Sequence, residues 1–129
     1  MIPSTFAQEL VKRLSAILPD GYAARAEGDT IHVDTPDGPG ASTSVGHLDP
    51  VEAEAEDYAD AAWNVLSMAQ DVVSESTADP WPAPLVGAGA DLPDPGTRAD
   101  DGVIRLWFGA EESPVLSLPP IALDADTDR

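Results

Sequence analysis

The chain has 129 residues, with 24 Asp plus Glu against 6 Lys plus Arg and a formal net charge of −18. A surface this negative is repelled by phosphate backbones and anionic lipid headgroups, so neither nucleic acid nor membrane is expected as a partner. Zero cysteines exclude a disulfide framework, a thiolate nucleophile and a cysteine-held metal. Glu9, Lys12 and Arg13 interrupt the first apolar stretch, which argues against a signal peptide or membrane span and for a cytoplasmic protein.

From Thr5 onward Phe6, Leu10, Val11, Leu14, Ile17 and Leu18 recur at helical spacing, while Gln8, Glu9, Lys12 and Arg13 take the other side. Thr5 and Gln8 have the spacing of a capping box, and Pro19-Asp20-Gly21 stops the helix. Tyr22 to Ala26 and Thr30 to Thr35 alternate around Glu27-Gly28-Asp29, which predicts a hairpin with Ile31 and Val33 facing inward. A weaker third strand is predicted over Ala41 to Leu48, carried by Val45 and Leu48. A long second helix follows, with Asp49 as its cap, Pro50 in its first turn, a stripe from Val51 through Tyr58, Val65 and Leu66 to Val73, and an end near Ser76. Residues 77 to 102 hold five prolines, four glycines and no hydrophobic period, and read as one extended loop. Val103 to Gly109 and Val115 to Leu118 then form a second hairpin ended by Pro119-Pro120, and residues 119 to 129 read as a flexible acidic tail.

The order helix, three strands, helix, long loop, two strands predicts an α+β fold. It is a single domain over residues 1 to 118, an antiparallel sheet of four to five strands with both helices packed on one face.

Charge is concentrated in the second helix: residues 49 to 76 carry eight carboxylates, and no Lys or Arg lies between Arg25 and Arg98. The plain reading is a solvated face. The sharper one is that Glu52, Glu56 and Asp60, with Trp63 at the border of the apolar stripe, meet a basic partner protein. Arg105 and Trp107, on the outward side of the predicted strand, mark a second surface open to a partner.

His32-Val33-Asp34 and His47-Leu48-Asp49 repeat a pattern fifteen residues apart, and His32, Asp34 and His47 are the residues that would hold zinc if adjacent strands brought them together. Against this, Asp49 is wanted as a helix cap and no fourth ligand stands out, so no metal and no other cofactor is expected. Gly87-Ala88-Gly89 lacks the strand, helix and third glycine of a dinucleotide fingerprint, and no nucleophile elbow is present. These residues therefore point to a non-catalytic protein-interaction module. The alternatives are an immunity protein or nucleic-acid mimic covering a basic toxin or nuclease, and a small metal-dependent enzyme.

In its small size, acidity and element order the chain resembles the type III secretion chaperone-like fold, through Phe6 to Leu18, Ile31 to Val33, Asp49 to Val73 and Ile104 to Leu118. The resemblance implies a chaperone-like or adaptor role for a homodimer that holds a segment of a partner protein in extended form, without nucleotide or metal. The chain departs from that pattern in its long loop and in lacking a last helix after Leu118.

Overall fold

The computed structural model describes residues 2–49, 51–77, 81–82 and 93–123. Its elements are α1 (Pro3–Ile17), β1 (Ala23–Glu27), β2 (Thr30–Thr35), β3 (Gly38–Ser44), α2 (Ala55–Thr77), β4 (Pro95–Asp100), β5 (Val103–Ala110) and β6 (Ser113–Ala122). The α+β class stands. The single sheet of four to five strands does not: there are two three-stranded antiparallel meanders, β1-β2-β3 and β4-β5-β6. The helices bridge the two sheets, α1 packing against β1, β2 and β6, and α2 against β2, β3, β4 and β5.

The added strand is β4, which lies inside the segment predicted as loop. Its sequence, Pro-Gly-Thr-Arg-Ala-Asp, has no apolar alternation to announce it. Tertiary partners make it a strand: it pairs with β5 from Pro95↔Phe108 to Asp100↔Val103. Thr97 Oγ1 donates to the Ala59 carbonyl of α2 at 2.7 Å, and Trp63 Nε1 donates to the Pro95 carbonyl at 2.9 Å. Residues 78–80 and 83–92 of the predicted loop lie outside the described residues, as does the tail from 124.

Four boundaries also differ. Helix α1 begins at Pro3 with Ile2 as its N-cap and no side-chain cap, so the Thr5–Gln8 capping box is not used; proline at the first helical position needs no N–H partner. Strand β3 covers Gly38 to Ser44, whereas Val45 and Leu48 are buried just beyond it in a turn held by Val45 N–H to Asp29 O and Leu48 N–H to Val45 O. Helix α2 begins at Ala55, and Val51 is 89% exposed instead of opening the apolar stripe. The cause is a separate turn. Asp49 Oδ1 accepts from the Val51 and Glu52 amides at 2.8 and 3.2 Å, and Ala53 N–H closes onto Asp49 O. The chain then restarts at Glu54, whose N–H donates to Asp57 Oδ2 at 2.8 Å, one half of a capping box.

Strand β6, finally, runs past Pro119-Pro120 to Ala122. Ile104 pairs with Ile121 and Leu106 with Leu118, so two steps along β5 match three along β6 and the prolines sit in the bulge, where no ladder N–H is required.

One cluster of buried residues joins all these parts. Phe6, Leu10 and Leu14 of α1, Ile31 and Val33 of β2, Val65 and Leu66 of α2, Ile104, Leu106 and Phe108 of β5, and Ile121 of β6 are each at most 2% exposed. The Phe6 and Tyr58 rings meet edge to face at 5.0 Å between centroids, and Trp81 meets Phe108 at 5.6 Å. Among the described residues, no helix is long and apolar enough to cross a membrane.

Candidate functional site

The helical period assigns α2 two faces. Tyr58, Ala62, Val65, Leu66, Ala69 and Val73 are buried, while Glu56, Asp57, Asp60, Trp63, Asn64, Asp71 and Glu75 fall on the opposite arc and are exposed. Of these carboxylates, Asp57 caps the helix; Glu56, Asp60, Asp71 and Glu75 form no ion pair with any described residue. Glu56 with Asp60 and Asp71 with Glu75 are like-charge neighbours at i,i+4, each unfavourable by about 0.2–0.5 kcal/mol. Glu52 belongs to the preceding turn and not to this arc. It lines a separate acidic depression at the helix start with His47, Asp49, Asp57 and Asp60. Burial first, and then the charges of Asp49 and Asp57, push the Tyr58 phenol above its ordinary value.

Trp63 is 41% exposed and points along the β4 flank, held by its bond to Pro95. On the other flank Met68 and Val72 are half-buried, and between them and Gly40 and Ala41 of β3 runs an open groove of about 470 Å³, with Asp71 and Glu75 on its rim. Asp71, Glu75 and this strand margin do not stand out in the sequence. The signal was there in part: from Glu56, the steps of 4, 15 and 19 residues to Asp60, Asp71 and Glu75 keep one helical face.

The residues proposed for metal are not brought together. His32 and Asp34 share one face of β2, but His32 Nε2 lies 3.2 Å from Glu27 Oε1 and Asp34 is taken by Arg25 at 3.0 Å. His47 lies in the turn after β3, beside Asp49 and Glu52. Among the described residues no group of three or more His, Cys, Asp or Glu is placed to hold a metal ion.

The second proposed surface is largely committed within the protein. Trp107 is 9% exposed, lies against Gly96 of the facing strand, and donates Nε1 to the Gly109 carbonyl at 3.1 Å. Any side chain at Gly96 would collide with the indole, so the glycine is what lets the ring lie across β4. Arg105 faces Arg98 directly across the strands, and both turn to the same oxygen of Glu111, at 3.7 and 2.8 Å. The hydrogen bond that Arg98 donates to Glu111 is the leading cause of an Arg98 affinity for its proton above the ordinary arginine value.

Comparison with known proteins finds no family model, no curated protein and no solved structure that matches the chain.

Proposed function

We propose that this chain is a non-catalytic protein-interaction module, chaperone-like or adaptor in role, that offers the outward arc of α2 to a basic partner protein. One observation carries the reading: Glu56, Asp60, Asp71 and Glu75 share that arc and none is ion-paired to a described residue. A helix that keeps such a row costs itself stability in isolation, and a cationic partner reverses the sign of that term while steering its own approach. Trp63, half-exposed beside the row, supplies the aromatic anchor that interfaces favour. The acidic helix is preferred to the sheet face because Trp107 is buried and Arg105 already faces a carboxylate.

Placing a photo-crosslinking p-benzoylphenylalanine at position 64, on the same arc, tests this in cells. The expected adduct is with a Lys- and Arg-rich protein. It fails to form when extract is irradiated at about 0.5 M NaCl, and in the variant Glu56→Gln, Asp60→Asn, Asp71→Asn, Glu75→Gln. An adduct that forms equally well in the neutralised chain defeats the proposal, as does substrate turnover by the purified protein that depends on His32 or His47.

A further inference from the structure

A molecule with two open sheets has four edge strands, and three of them are protected against pairing with another chain. Helix α1 packs against β1, whose exposed side chains include Arg25 and Glu27. Helix α2 is tied to β4 through Thr97 and the Pro95 carbonyl. Strand β6 carries Pro114, Pro119 and Pro120, and Arg13 occupies the carbonyls of the last two. These are the usual means by which proteins block edge-to-edge association: cover, charge and proline.

The fourth edge differs. In β3, Pro39 and the bulge opposite Val33 and Asp34 block the beginning, but Ala41-Ser42-Thr43-Ser44 has no proline, no charge and small side chains. Gly40 and Ala41 are both exposed, and with so little side chain that exposure is largely of the backbone itself. Register adds a second point. Ala41 pairs with Val33 and Thr43 with Ile31, so they share the face that is fully buried on β2. Ala41 is nevertheless open to solvent. The apolar cover supplied by α2 thus stops short of the β3 margin and leaves the groove floored by Gly40, Ala41, Met68 and Val72.

We propose that this margin takes an extended basic segment of a partner protein as a fourth strand of the first sheet, with Asp71 and Glu75 receiving its cationic side chains. The inference rests on the reading of an acidic interaction module and specifies where and in what conformation the partner binds. Unpaired backbone groups of Ala41 to Ser44 supply the ladder, and the alternation of the added strand supplies selectivity. Lys or Arg at its inward positions lays the methylene stem on Met68 and Val72 and carries the charge to Asp71 and Glu75. Charge also selects against the obvious rival: a second copy paired β3 to β3 would crowd two such carboxylate pairs together with no cation among the groove residues.

The probe is the acetylated, amidated peptide Thr-Lys-Val-Lys-Thr-Lys-Val, compared with the same peptide N-methylated at alternate backbone amides, each titrated into the full chain. Hydrogen exchange should slow by about tenfold or more at alternate amides of Ala41 to Ser44 with the first peptide and stay unchanged with the second. The double substitution Asp71→Asn, Glu75→Gln should weaken binding about fivefold or more by fluorescence anisotropy at low salt. If the methylated peptide binds equally well, the β3 amides are unaffected and α2 neutralisation still weakens binding, strand addition is wrong and the acidic-module reading survives. If neither peptide distinguishes the native chain from the one with Glu56, Asp60, Asp71 and Glu75 neutralised, both fall. Self-association that protects β3 without peptide would assign the edge to a second copy and overturn the proposal.

Discussion

Arg13 connects parts of the chain more than a hundred residues apart. Its Nε and Nη2 donate to the carbonyls of Pro119 and Pro120 at 2.6 and 2.7 Å, and Nη1 donates to Glu9 Oε1 at 2.8 Å. The two carbonyls belong to the β6 bulge, where ladder bonding is interrupted and an outside donor is needed. Arg13→Met should therefore lower unfolding free energy by about 2–3 kcal/mol in urea titration, and Arg13→Lys should restore less than half, because an ammonium cannot span both carbonyls as the guanidinium fork does. Glu9 gives a dependence on pH. The bond from Arg13 is the main cause holding its carboxyl below the ordinary value of 4.5, although burial opposes it. A depressed folded value means stabilisation that is complete above the unfolded value and is lost as acid protonates the group. The difference in urea midpoint between the native chain and Glu9→Gln should be full at pH 6 and narrow on going to pH 4; a gap that widens on acidification would contradict the assignment.

At the scale of elements, what was legible depended on periodicity. Strand β5 and the apolar stripes of both helices were visible because Ile104, Leu106 and Phe108 alternate and Phe6, Leu10 and Leu14 recur at helical spacing, and those same side chains fill the core. Strand β4 was not visible, because Thr97 and the Pro95 carbonyl owe their places to α2 and no local pattern announces that. The continuation of β6 was hidden by Pro119-Pro120, which end a strand only if they fall on a ladder N–H; here they fall in a bulge. Of the candidate site, Glu56, Asp60 and Trp63 could be read from spacing, whereas the groove beside β3 depends on how far α2 reaches across the sheet. The two aspartates near the helix start make a direct comparison. Asp57 caps the helix itself and Asp49 only the preceding turn, so Asp57→Ala should cost about 1 kcal/mol and reduce far-UV helical ellipticity. Asp49→Ala should destabilise with ellipticity unchanged. Equal loss of ellipticity in the two variants would mean that turn and helix form one cooperative unit.

Across the whole molecule the charge of −18 sets the response to solvent. Self-repulsion opposes compaction, and the Debye length shortens from about 30 Å at 0.01 M to about 8 Å at 0.15 M salt. Six described ion pairs involve five Lys or Arg residues and His32 but only four carboxylates, which leaves most carboxylates uncompensated and the repulsive term dominant. Tm should rise by roughly 3–8 °C between 10 and 500 mM NaCl, measured by near-UV circular dichroism. A flat or falling curve would show that the few ion pairs outweigh the repulsion, and would weaken the case that neutralisation by a partner is favourable.

The clasp between α1 and β6 also bears on how the protein is made. Phe6, Leu10 and Leu14 leave the ribosome before the strands they pack against, and one wall of the pocket that receives them, β6, is synthesised about a hundred residues later. Until then the nascent chain carries an apolar helix with only the first sheet and, in time, α2 to lie on. Completion must wait for β6 to dock and for its bulge to meet Arg13, a long-range closure that slows folding. During that interval the abundant like charge has a use that needs no binding partner, since it keeps neighbouring half-built copies apart.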